Sequence, residues 1–216
     1  MQAILIITSL LCYVFLVLQY KASAGKGIKD LTEALSENAL QLLNKRTIVT
    51  VPLMIVCVIL YSIADRNDFL QFRWNEKSDF LTSLSLCVCL LFSVYSADHI
   101  RNIAGTISAK ERIIYFSLRI PGLIIYEIFF RGVLLGIFLE WCSMPIAVAL
   151  NIALYALAHV FGSRKEFIGS IPFGLLLCYL TFSSQSIYPS VLLHMFLALP
   201  YESILFTKCQ LLTKQS

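Results

Sequence analysis

Apolar residues come along this chain in seven blocks, at about 2–19, 47–64, 80–97, 113–139, 145–161, 167–182 and 187–206, with short polar stretches between them. A bilayer-spanning helix needs roughly 20 mainly apolar residues, and each block can cross with some tilt. The pattern therefore predicts about seven transmembrane helices and an all-α, polytopic integral membrane protein. Between the first two blocks, Ile28, Leu31, Leu35 and Leu42 recur at helical spacing while Lys29, Asp30, Glu33 and Glu37 fall on other faces, which predicts an interfacial helix on the membrane surface. Trp74 and Trp141 lie beside predicted span ends, where tryptophans sit at the headgroup level.

Composition narrows the class. Of 216 residues, 58% are hydrophobic and 14% charged, with a mean hydropathy of +0.79. These values exclude a soluble globular domain and a disordered chain. Seven spans leave no room for a separate soluble domain, so any chemistry falls to groups on the helices. The net charge of +4 is placed by topology rather than gathered into a nucleic-acid footprint. One set of loops carries Lys21, Lys26, Lys29, Lys45, Arg46, Arg101, Lys110, Arg112, Arg164, Lys165, Lys208 and Lys214, and the other only Arg66, Arg73 and Lys77. The excess of Lys and Arg marks the cytoplasmic side: the amino terminus is expected outside and the carboxyl terminus in the cytoplasm. Ala22-Ser23-Ala24 imitates a signal-peptide cleavage site, but no basic residue precedes the first apolar run and Lys21 follows it, so the first helix is expected to be retained. The seven cysteines lie mostly inside apolar blocks and show no zinc-ligand or disulfide spacing.

Against this background, ionisable residues inside the blocks stand out. A charge at the centre of a membrane helix costs roughly 2.5 to 3.5 kcal/mol on insertion scales and marks a functional site by default. Glu127 and Arg131 are one turn apart on the fourth block and share a face. Arg119 is close enough to the cytoplasmic end to snorkel. Of three histidines, His99 ends the third block, whereas His159 and His194 sit within apolar sequence. A base to activate water, a donor to hold an oxyanion and an acid for the leaving amine are what peptide hydrolysis requires. Glu127, His159 and His194 supply these types. The same three could ligate zinc, and the spacing leaves metal-dependent and metal-free chemistry both open.

The order of motifs resembles the CPBP family, the CAAX prenyl proteases and bacteriocin-processing enzymes also called the Abi family. The resemblance rests on Glu127-x-x-x-Arg131-Gly132, then Tyr155-x-x-x-His159, a helix bearing Gly169 and Gly174, and Ser190-x-x-x-His194. It covers about residues 110–206. It implies a four-helix intramembrane protease core, preceded by N-terminal transmembrane helices and the interfacial helix over 1–109 and followed by a cytoplasmic tail over 207–216. In the family the first motif has two adjacent glutamates, the first activating the water; here Tyr126 holds that position and Glu127 the second. The family's last motif places an asparagine four residues after the histidine, where this chain has Ala198.

The resemblance implies an intramembrane endopeptidase that cleaves a membrane-associated peptide or protein, with no nucleic acid as partner, in the bacterial inner (plasma) membrane. Catalytic roles fall to Glu127 as base or its support, His159 as a water or metal contact and His194 as an oxyanion donor, with Arg131, Tyr126 and Tyr155 in support. Because Tyr126 points about 100° around the helix from Glu127, a rotation or a kink at Pro121 is expected if Glu127 serves as base. The alternative is a pseudoprotease that keeps the scaffold for binding, immunity or regulation. Counting depths along upright helices separates His159 from His194 by roughly 10 Å.

Overall fold

The computed structural model describes residues 2–64, 79–100 and 103–213. Arg66, Arg73, Trp74, Lys77, Arg101 and Lys214, which figure in the charge and interface arguments above, lie outside these residues. The described chain folds into α1 (Gln2–Ala24), α2 (Leu31–Ser36), α3 (Leu40–Ala64), α4 (Asp79–Asp98), α5 (Ala109–Glu127), α6 (Leu135–Trp141), α7 (Met144–Ala158), α8 (Arg164–Ser184) and α9 (Tyr188–Thr213). A π-helical segment (Ile128–Leu134) joins α5 to α6, so that residues 109–141 form one unbroken rod of 33 residues.

Six helical stretches are long and apolar enough to cross a membrane: those of α1, α3, α4, the α5–α6 rod, α8 and α9. They present Ile4, Leu11, Ile63, Phe80, Leu91 and Ile113 outward, as a lipid-facing surface requires. This is a polytopic, all-α membrane protein. The seventh predicted span is corrected. The block at 145–161 gives only the 15 residues of α7, about 22 Å of helix against a hydrocarbon core of about 30 Å. Its helix stops at His159, and Val160–Gly162 lead to Ser163, which caps α8 reciprocally with Glu166.

The interfacial helix is also revised. Asp30 accepts from the Glu33 amide and starts a helix of six residues, and Leu42 belongs to α3. Ile28, Leu31 and Leu35 are buried against Ile103, Leu205 and Phe206, so the segment docks on α9 and the α4–α5 connection rather than on lipid. α9 runs past 206 to Thr213. Its Lys208 Nζ donates to the carbonyls of Ala97, Asp98 and Ile100 at 2.7 to 2.9 Å, a cation placed where the end of α4 leaves unpaired carbonyls.

The α5–α6 rod is the axis of the molecule. α3, α7 and α8 all pack on its π-helical segment, whose Phe129, Phe130, Val133 and Leu134 are fully enclosed. Gly136 lets α3 approach: a Cβ there would collide with the Tyr61 hydroxyl. Gly174 does the same for α8, with the Tyr155 ring and the Arg131 guanidinium against its open face.

Candidate active site

Glu127 is the last residue of α5 and Arg131 lies one turn on, inside the π-helical segment; both are completely buried. Arg131 Nε stands 3.6 Å from Glu127 Oε2. A guanidinium has five donors, and this one uses Nη1 to donate to Asn151 Oδ1 on α7 at 2.6 Å and lays its plane over the Tyr155 ring at 4.4 Å. Asn151 in turn donates from Nδ2 to the Phe130 carbonyl at 2.7 Å. That carbonyl belongs to the π-helical segment, so Asn151 ties the widened turn and the charge it carries to α7 at once.

The other carboxylate oxygen, Glu127 Oε1, lies 2.6 Å from His194 Nδ1 on α9. A carboxylate only accepts, so Nδ1 carries the proton and Nε2 of the neutral ring keeps its lone pair. His159, which caps α7, places Nδ1 2.8 Å from the Tyr155 carbonyl, and the same reasoning leaves its Nε2 as an acceptor. Between the two imidazoles stands Tyr126. Its ring centroid is 6.2 Å from that of His159 and 6.0 Å from that of His194, both edge-on. Tyr155 completes the wall, 4.9 Å from His159 and 5.8 Å from Tyr126. The Tyr126 hydroxyl is buried without a hydrogen-bond partner among the described residues. Both histidines keep some accessible surface, so the cluster is not sealed.

All six residues singled out from the sequence thus belong to one constellation. Two expectations about how they meet are replaced. His159 and His194 are not held apart by depth, because the helices are not level. Counting back from the α7–α8 turn, Tyr155 should face residue 167, yet it packs on Gly174, an offset of about seven residues or 10 Å; Asn151 meets Cys178 with the same offset. The five-residue connection (159–163) can span about 17 Å, which is enough to let α7 ride up. On this register His159 stands opposite Ser170, and His194 packs on Phe173, about 5 Å further along α8. Nor is rotation of α5 required: His194 sits between the directions of Tyr126 and Glu127 and touches both.

Two buried polar residues escaped sequence reasoning. Asn151 is a lone amide and Glu202 a lone carboxylate in apolar blocks, and extending the search for buried polarity from histidines and paired charges to every polar side chain finds both. Glu202 is nearly buried on α9, and Arg119 reaches it with Nε at 2.9 Å and Nη2 at 2.7 Å from the same oxygen. Arg119 therefore pairs across helices instead of snorkelling.

A shared zinc ion does not fit this donor set. Among the described residues no three His, Cys, Asp or Glu side chains gather to hold a metal, and Glu127 Oε1 accepts from His194 rather than standing beside it as a second ligand. The arrangement is a carboxylate–imidazole dyad backed by a buried guanidinium, with a second imidazole and a free phenol across from it. Such a dyad can take a proton from water and return it, as in acid–base hydrolysis.

Residues 108–199 match a family model described as Rce1-like, type II CAAX prenyl endopeptidase. The matched stretch begins at Ser108, the cap of α5, and takes in Glu127, Arg131, His159 and His194. No curated protein and no solved structure matches the chain. The match spans residues 108–199, less than half of the chain, and over that stretch the protein is similar to the type II CAAX prenyl endopeptidases, an intramembrane protease family.

Proposed function

We propose that this protein is an intramembrane endopeptidase that cleaves a membrane-associated peptide or protein, with the imidazole of His194 as the base. The observation that carries the reading is the 2.6 Å contact from His194 Nδ1 to Glu127 Oε1. Glu127 then orients the ring and offsets its charge, instead of acting on water itself. His194 Nε2 takes a proton as the water oxygen attacks the scissile carbonyl, and returns it to the leaving nitrogen as the C–N bond breaks. His159 Nε2, an acceptor in its present tautomer, holds the second proton of the water. The oxyanion needs a donor, and the unpartnered Tyr126 hydroxyl supplies it where His194 was first expected to. Arg131, with Nε 3.6 Å from Glu127 Oε2, braces the carboxylate from the side away from His194. The positive-inside bias supports a cytoplasmic carboxyl terminus, and the proposed location is the bacterial plasma membrane.

A second reading, a pseudoprotease that binds a membrane partner, is favoured by Tyr126 and Ala198 at the family's glutamate and asparagine positions. One panel separates the two: wild type, Glu127→Ala, His159→Ala, His194→Ala and Tyr126→Glu, each reconstituted in liposomes with a library of lipid-anchored peptides at matched protein levels. The expected result is cleavage by wild type and a loss of at least about 100-fold in each alanine variant. No cleavage by wild type, or three variants equal to it, ends the protease reading; cleavage that appears only in Tyr126→Glu establishes the second.

A further inference from the structure

The Arg119–Glu202 pair and the Glu127–His194 pair join the same two helices, and their spacing is the same on both. Arg119 and Glu127 are eight residues apart on α5, and His194 and Glu202 are eight apart on α9. The pairs are thus successive rungs of one antiparallel ladder, about 12 Å apart along the helices. Between the rungs each helix carries a proline, Pro121 on α5 and Pro200 on α9. Each proline lacks the amide that would close an i to i−4 bond and strains the preceding turn. The backbone alone therefore holds the rungs in register poorly: Pro121 stands two residues from Arg119, and Pro200 two from Glu202. What fixes the register below the site is the lower rung, in which two guanidinium nitrogens converge on one carboxylate oxygen of a nearly buried glutamate with the Tyr115 hydroxyl beside it.

From this ladder we infer that Arg119 and Glu202 are positioning residues that set α9 against α5 and so deliver His194 to Glu127. The inference concerns how the dyad is held; its use for cleavage rests on the protease reading above. His194 is faced by Tyr126 and Glu127 from the α5 rod, by Tyr155 and His159 from α7 and by Phe173 from α8, so the lower rung acts on it through α9 rather than by contact.

The test uses the full chain in detergent micelles with nitrogen-15 labelled histidine. Three histidines keep the imidazole spectrum assignable by comparison with His194→Ala, and Glu127→Ala defines the signal of a His194 that has lost its carboxylate. The expected result is that Arg119→Ala and Glu202→Ala each move the His194 Nδ1–H signal to that of Glu127→Ala, and that the exchanged pair Arg119→Glu with Glu202→Arg brings it back. Where a single variant fails to accumulate, the neutral pair Arg119→Gln with Glu202→Gln replaces it with the same expectation. In liposomes the same variants should lower kcat about 10- to 100-fold with KM unchanged within about twofold. A wild-type His194 signal in the single variants or the neutral pair overturns the inference, as does an exchanged pair that melts like wild type yet leaves the signal displaced. Absence of cleavage in every protein, wild type included, counts against the protease reading alone, because the spectrum is read without activity.

Discussion

Arg131 is among the largest side chains that the protein buries completely, and it is held by a carboxylate, an amide and an aromatic face. Taking a charge out of water is expensive unless its partners are well placed, and removing one partner of such a set leaves an uncompensated buried group. Asn151→Ala strips the guanidinium of the one hydrogen bond of good length that it makes among the described residues and removes the Asn151 donor from the Phe130 carbonyl. A destabilisation of about 1.5 to 3 kcal/mol is expected, read as a lower midpoint of thermal unfolding in detergent against wild type. At this scale the sequence is legible where a paired charge or a histidine interrupts an apolar run, which singles out Glu127, Arg131, His159 and His194, with Tyr126 and Tyr155 added by their place in the motifs. Asn151 and Glu202 interrupt such runs as lone residues and are passed over. What could not be read was partnership. That Glu127 faces an imidazole rather than a water, or that Arg119 crosses to Glu202 instead of reaching for the headgroups, depends on which helices lie side by side.

The rod of α5 and α6 shows what is decided at the level of elements. Its π-helical segment begins at the residue after Glu127, and widened turns of this kind recur at functional sites. Close packing around it depends on missing side chains. A Cβ on Gly136 meets the hydroxyl of Tyr61, and Tyr61 is itself buried, so its ring can give way only by displacing its neighbours. Gly136→Ala is expected to cost about 1 to 3 kcal/mol as overpacking, whereas Gly169→Ala, with open space around it, should melt as wild type does in the same assay. Helix positions followed well from the apolar blocks because lipid selects for apolarity along the whole length of a span. The end of α7 did not, since Val160 and Phe161 continue the apolar run beyond the last helical residue. Apolarity reports the surroundings of a residue, and a turn lodged among apolar neighbours looks like more helix. The π-helical segment left no mark either, as its residues satisfy any helical pattern.

For the molecule as a whole, the contacts fix the relative sense of the last helices. Thr181 meets Ser190, Asn151 meets Cys178, and the α5–α9 ladder is antiparallel. The chain therefore reverses at each of the connections after α6, α7 and α8. Reporter fusions test this directly. Fusions after Gly162 and at the carboxyl terminus should report one side of the membrane, and fusions after Ser143 and Gln185 the other. The Lys and Arg bias predicts that the first pair fluoresces as cytoplasmic green fluorescent protein fusions and that the second is active as alkaline phosphatase. On this same side α2 and the later turns of α9 dock onto each other, beside loops that carry most of the positive charge.

The shortness of α7 has a bearing on the membrane itself. A helix of 15 residues leaves about 8 Å of an average hydrocarbon slab unfilled. Lipid beside such a helix compresses, or water fills the gap, at a modest cost per ångström of mismatch. The irregular backbone from Val160 to Ser163 favours water, since peptide groups outside a helix are tolerated at depth only against protein or a hydrated space. His159 caps that short end. A thinned or hydrated strip of bilayer beside His159 is the expected consequence; on the protease reading, it is there that a lipid-anchored peptide would lose its hydrocarbon cover and meet water.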